Sequence, residues 1–207
     1  MPARRGNRLV LASGNAGKLR ELSAMLAPLG LNLAPQSDWQ VREAVEDAPT
    51  FIENALIKAR HAARHTGLPA IADDSGLVVP ALGGAPGIFS ARFAGPGAGD
   101  EANNRKLLDD MKHLTGEVRA AYFQCTMVLV RRPDDPVPLV ASDNWWGEIA
   151  DAPRGEGGFG YDPLFWLPDR RCTSAELPPG IKNRISHRGQ AMRHMIELLR
   201  RNDDFTC

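Results

Sequence analysis

The sequence predicts a mixed α/β fold, because apolar runs of strand length alternate with stretches of helical period along most of the chain. Three places carry this reading. Leu19, Leu22, Leu26 and Leu29 follow the apolar run Leu9 to Ala12, the helix-start pattern Thr50-Phe51-Ile52-Glu53 precedes the run Leu68 to Ala72, and Ala120 to Val130 alternates apolar with mixed residues.

Taken in order, Arg8-Leu9-Val10-Leu11-Ala12 reads as the opening strand, and the leucines after it as a helix ending at Gly30. Thr50 and Glu53 form a capping box for a helix running to about His65, with Gly67 as its stop. Leu68 to Ala72, bounded by Gly67 and Gly76, reads as a buried strand that delivers Asp73 and Asp74 where it emerges at the sheet edge. Asp100 is the expected cap of a third helix reaching about Leu114. The strand Ala120 to Val130 turns at Arg132-Pro133-Asp134-Asp135-Pro136 into a partner near Val137 to Ala141. Ser186 caps a last helix that carries Ala191, Met195, Leu198 and Leu199. No repeat or linker interrupts the 207 residues, so 1–207 reads as a single domain, and the Gly- and Pro-rich stretches 83–99 and 153–163 read as site-forming loops within it.

The 25 basic and 25 acidic residues cancel, so no global field draws the chain to nucleic acid or to an anionic membrane. Arg4, Arg5 and Arg8 precede an apolar run far too short for a signal peptide, and no stretch approaches the ~20 apolar residues of a membrane span. Cys125, Cys172 and Cys207 lack metal-type spacing and read as reduced thiols of a cytoplasmic protein.

Four segments could carry chemistry. In Ile71-Ala72-Asp73-Asp74-Ser75-Gly76, two adjacent carboxylates close a buried run, and a cation is the usual remedy for such burial; the plain alternative is a solvated turn. Ser13-Gly14-Asn15-Ala16-Gly17-Lys18 joins the first strand to the first helix, where backbone N–H groups and a lysine suit phosphate. It is no Walker A loop, since Ala12 takes the place of the first glycine and Leu19 that of the hydroxyl residue. Phe159-Gly160-Tyr161-Asp162 offers rings for base stacking, or simply anchors a loop on the core. His187 and Arg188 put positive charge in the first turn of the last helix, against its dipole, with Lys182 nearby; a negatively polarised ligand atom would offset that, and a solvated basic turn is the alternative.

Phosphate loop, acidic corner, stacking ring and base-edge donors together describe a nucleoside triphosphate site. The same segments, with Thr50 to Ala55 and Lys58, Gly83-Gly84-Ala85-Pro86-Gly87, Ser90-Ala91-Arg92 and Ser186-His187-Arg188-Gly189-Gln190-Ala191, resemble in order and spacing the inosine/xanthosine triphosphatases, which cleave noncanonical purine nucleoside triphosphates. The resemblance runs nearly the whole chain. It implies an elongated mixed sheet flanked by helices, two lobes with the active site in the cleft, and a homodimer. It also implies Mg2+-dependent hydrolysis of ITP, dITP and XTP to the monophosphate and pyrophosphate, a reaction that cleanses the nucleotide pool.

By the same resemblance, Ser13, Gly14, Asn15, Ala16, Gly17 and Lys18 would hold the triphosphate and Ser75 would touch it. Asp74 would be the metal-linked proton acceptor, and Glu46, twelve residues before Lys58, the second metal ligand. Phe159, Gly160, Tyr161, Asp162, Lys182, His187 and Arg188 would contact substrate. The segment Val41 to Pro49 departs from the family pattern, with Asp47-Ala48-Pro49 in place of a Thr-Gly type turn, so Glu43 competes with Glu46. Donors at His187 and Arg188 match the C6 oxygen of hypoxanthine or xanthine and mismatch the amino group of adenine. Two other readings are a nucleotide sensor that does not cleave, which has less need of Asp73-Asp74, and a pyrophosphatase for pyrimidine or modified triphosphates. Trp145 and Trp146 are the expected exposed candidates for a dimer contact.

Overall fold

The computed structural model describes residues 8–202; Arg4, Arg5 and Cys207 lie outside the described residues. Its elements run β1 (Arg8–Leu11), α1 (Ala16–Leu26), β2 (Asn32–Pro35), α2 (Phe51–Thr66), β3 (Ala70–Val78), α3 (Asp100–Met111), β4 (Ala120–Val130), β5 (Leu139–Ile149), β6 (Phe165–Leu167), β7 (Cys172–Thr173), α4 (Pro179–Ile185) and α5 (His187–Arg200). Among the described residues the strands form one mixed sheet in the order β2-β1-β3-β4-β5-β6-β7. β1 pairs in parallel with β2 and β3, whereas β5–β6 and β6–β7 are antiparallel. The mixed α/β class is therefore as the sequence predicts.

Among the described residues two compact units share these strands, one built from residues 8–74, Thr126–Ser142 and residues 191–202, the other from Ser75–Cys125 and Asp143–Gln190. In the first, α2 lays Ala55, Ala59, Ala62 and Ala63 on Val10, Ala12, Ala70, Ala72, Val128 and Val130. That alanine stripe at helical period lets the helix axis approach the sheet closely. Thr50 caps α2 by accepting from the Glu53 amide, and Gly67 ends it in the left-handed conformation, φ 68°. In the second, the Phe123, Trp145 and Phe165 rings meet at centroid distances of 4.6 and 5.1 Å inside a cluster with Leu77, Leu107, Met111 and Leu164.

Several expectations are corrected. β3 does not stop at Ala72: it continues through both acids to Val78 and is the third of seven strands, so Asp73 and Asp74 lie within the sheet and not at an edge or a solvated turn. Asp100 is the first residue of α3, not its cap, and the helix ends at Met111 rather than Leu114. The freed Asp100 carboxylate accepts from the Gly160 amide at 2.6 Å. The predicted turn stands, its Asp135 carboxylate accepting from the Arg131 and Val137 amides, but the strand after it starts at Leu139 and reaches Ile149. Trp145 faces the core, since alternation along β5 sends it inward and leaves Trp146 exposed against Tyr122. Among the described residues no helix is long and apolar enough to cross a membrane, and neither Cys125 nor Cys172 is in a disulfide.

Candidate active site

Each unit gathers one set of the predicted residues. In the first, β1 ends at Leu11 and α1 starts at Ala16, with Asn15 as N-cap accepting from the Gly17 and Lys18 amides at 2.8 and 3.1 Å. Ser13 Oγ accepts from the Asn15 amide. The loop is thus pre-curled by its own side chains, and Gly14, Asn15 and Ala16 are exposed at its tip. A phosphate oxygen there would take over hydrogen bonds that Ser13 and Asn15 now make.

Both acids of β3 have cationic partners. Asp73 is fully buried and pairs with Lys18, Nζ to Oδ1 2.9 Å. Lys58, on the alanine face of α2, donates to Asp74 Oδ1 at 2.6 Å and to Glu46 Oε2 at 2.8 Å, so two carboxylates converge on one ammonium. Burial pushes the Asp74 carboxyl up to about 6 against the pull of Lys58, and its hydrogen bond with Glu46 and that residue's charge push the same way. Burial also opposes ionisation of Glu46, but Lys58, a hydrogen bond with Asp74 and the charge of Lys18 together hold Glu46 below the usual carboxylate range. Lys58 itself is desolvated, and Asp74, Asp73 and Glu46 together keep it more firmly protonated than an ordinary lysine. Glu43 stands elsewhere, its Oε1 where a Cβ on Gly14 would lie. It faces the Ser13–Lys18 loop, whereas Glu46 faces Asp74.

The second set starts at Ser75, the residue after Asp74 in β3. Arg188, 3% exposed, donates from Nη2 to Ser75 Oγ at 3.3 Å and places its guanidinium 5.5 Å from the Phe159 ring centre. The Lys182 ammonium lies 5.2 Å from the same ring and pairs with Asp162 at 2.5 Å. These contacts explain how α5 tolerates a basic first turn. α4 and α5 are separated by Ser186 alone, whose Oγ accepts from the Gly189 amide as the predicted cap should. A Cβ on Gly189 would strike the Asn183 carbonyl, so only glycine lets the two helices meet this closely.

The Phe159–Asp162 loop is fixed from several sides. Asp162 accepts from the Phe159 amide and from Ser174 Oγ as well as from Lys182, so its carboxylate serves its own loop. Asp100 and Asn104, one turn apart on α3, hold both backbone groups of Gly160. Tyr161 is buried, its phenol donating to the Ser90 carbonyl, while Ser90 Oγ accepts from the Leu77 amide. Tyr161 therefore anchors the loop and half-buried Phe159 is the ring it presents. His187 stacks on Phe123, centroids 4.8 Å apart, and faces Trp145 more distantly.

The profile of the Ham1 family matches residues 9–198. The chain belongs to the Ham1 family. It is 57% identical to a dITP/XTP pyrophosphatase of Thioalkalivibrio sulfidiphilus over 93% of this chain and 98% of that protein, and 57% identical to one of Bordetella parapertussis over 93% and 91%. Among solved structures it resembles a HAM1 protein from Coxiella burnetii, TM-score 0.88 at 47% identity, covering 94% of this chain and 99% of that one. This Ham1 chain also holds a residue that the sequence reading used only as a ruler. Lys58 counted off Glu46, yet it is the cation between the two carboxylates. The signal was present: a lysine falling in an otherwise alanine-lined stripe, Ala55, Ala59, Ala62 and Ala63, must find an acid inside.

Proposed function

We propose that this chain is a nucleoside triphosphate pyrophosphatase that hydrolyses dITP, XTP and ITP to the monophosphate and pyrophosphate, with 1–207 working as one domain. The observation that carries the reading is the convergence of Asp74 and Glu46 on Lys58, beside a phosphate-type loop whose Lys18 reaches the neighbouring Asp73. The triphosphate falls to Ser13–Lys18 and Ser75, and the base to Phe159, His187 and Arg188, with Lys182 supplying charge next to the ring. Tyr161 and Asp162 hold Gly160 and Phe159 in place.

Two hard carboxylates fit Mg2+, which takes oxygen ligands and fills its remaining positions with water and substrate phosphates. Asp74 and Glu46 would hold it, and the chemistry it supplies is neutralisation of charge on the triphosphate and on the departing pyrophosphate. Asp74 orients a water toward the α-phosphorus and accepts its proton as the new P–O bond forms and the bond to the β-phosphate oxygen breaks. Lys58 keeps Asp74 and Glu46 ionised before substrate arrives. Lys18 adds positive charge at the phosphates, in keeping with phosphoryl transfer as a matter of position and electrostatics. As parts of the same reading, the protein is a cytoplasmic homodimer acting on free nucleotides and not on nucleic acid, which its balanced charge supports.

The test is incubation of purified protein with XTP, ITP, dITP and ATP, with and without Mg2+, followed by identification of products. Pyrophosphate and monophosphate from XTP are expected only with metal; orthophosphate would move the attack to another phosphorus and defeat the reading. Arg188→Ala should raise the KM for XTP about tenfold or more, since a charged hydrogen bond is worth about 1.5–3 kcal/mol. Its preference for XTP over ATP should shrink alongside. An unaltered kcat/KM ratio between the two would remove Arg188 from base selection.

A further inference from the structure

Glu46 lies in a stretch, residues 41–48, that forms neither helix nor strand, although a metal ligand needs a fixed position. α2 supplies it from one face. Asn54, Lys58 and His61 follow at spacings of four and three, so their side chains stack along one side of the helix. Asn54, 1% exposed, takes both backbone groups of Ala48: Oδ1 accepts from the amide and Nδ2 donates to the carbonyl, each at 3.1 Å. Lys58 pairs with Glu46. His61 Nε2 meets the Arg42 carbonyl at 2.9 Å, and because a carbonyl only accepts, Nε2 carries the hydrogen. Contacts descend in number from 48 to 42 as the helix ascends from 54 to 61. The segment thus runs antiparallel along α2, with Glu46 between two backbone anchors.

Lys58 by itself cannot fix Glu46, because a flexible ammonium restrains a carboxylate tip and leaves the backbone beneath it loose. We propose that Asn54 and His61 are positioning residues that hold the 42–48 segment against α2 and thereby set the affinity of the Glu46 carboxylate for the metal. The proposal rests on the reading of Glu46 as a ligand given above. Partners that orient a ligand without touching the metal commonly change affinity 10–100-fold when removed.

The experiment compares wild type, His61→Ala, His61→Gln, Asn54→Ala and Glu46→Gln in two measurements: amide hydrogen exchange over 42–48 in metal-free protein, and the Mg2+ concentration giving half-maximal turnover of XTP. His61→Ala should speed exchange at 43–47 and raise the half-maximal Mg2+ about tenfold, with kcat at saturating Mg2+ held within twofold. His61→Gln, whose amide can still donate to Arg42, should recover most of both. Asn54→Ala should do the same or more where it folds; the His61 pair decides the matter where it does not. Unchanged exchange in His61→Ala, or faster exchange without a shift in metal dependence, overturns the proposal while Glu46→Gln still shifts that dependence. Unshifted dependence in Glu46→Gln instead overturns the reading of Glu46, and this inference with it.

Discussion

Asp74→Asn should abolish turnover and leave nucleotide binding intact. Asparagine keeps the shape of the side chain and an oxygen for Lys58, which now lies 2.6 Å from Asp74 Oδ1. It loses the charge that would hold the metal and the capacity to take a proton from the attacking water. A positioned acid or base is typically worth 10²–10⁴-fold, so kcat for XTP should fall by about 10³-fold, equivalent to about 4 kcal/mol of transition-state stabilisation. The dissociation constant for XTP, read by calorimetry, should move far less, since Ser13–Lys18 and Phe159, the groups proposed to hold it, are untouched. A variant retaining a tenth of wild-type kcat would remove Asp74 from the chemistry. The carboxyl's upward shift to about 6 gives a second reading of the same group. As pH falls through about 6 a proton would occupy the oxygen proposed to bind the metal, so on that reading turnover at limiting Mg2+ should decline toward tenfold per pH unit. Excess Mg2+ competes with that proton and should move the decline to lower pH.

Legibility followed the range of the forces involved. The caps at Thr50 and Gly67 read correctly because they are local, three and four residues from the groups they satisfy. β2, β6 and β7 went unread: at two to four residues they are too short to show a period, and the equally short β1 was read from its unbroken apolar run Leu9 to Ala12, not from a period. The misplaced end of β3 has a different cause. Asp-Asp-Ser-Gly favours a turn by local chemistry, but Lys18 and Lys58 arrive from α1 and α2 to neutralise the acids, so the strand continues. No window on the sequence contains that compensation. The motifs stood out as segments and by resemblance, whereas which of their side chains pack inward did not. Tyr161 and Asp162 sit in the same motif as Phe159, yet the phenol and the carboxylate face inward to Ser90, Ser174 and Lys182. Only tertiary partners distinguish an anchoring residue from the one it presents.

Asp162→Ala should be strongly destabilising to the second unit. Its carboxylate, almost wholly buried, accepts from Lys182 Nζ, Ser174 Oγ at 2.7 Å and the Phe159 amide at 2.8 Å. Alanine strands a buried ammonium and leaves the part-buried Phe159 amide without its acceptor, while Ser174 Oγ keeps the Asp162 carbonyl at 3.1 Å. Breaking such a pair from one side costs about 3–5 kcal/mol, which urea denaturation would read as a large drop in midpoint at unchanged slope. Asp162→Asn should fall between the two, because its amide oxygen still serves Ser174 or Phe159 while Lys182 loses its counter-charge. The double variant Asp162→Asn, Lys182→Met should then recover much of what Asp162→Asn lost, since no uncompensated charge is left inside. A loss under about 1 kcal/mol for Asp162→Ala, in the range of an exposed ion pair, would mean that the Lys182 ammonium reaches water. The pair would then be a surface contact, and Lys182 would owe its place beside Phe159 to something other than Asp162.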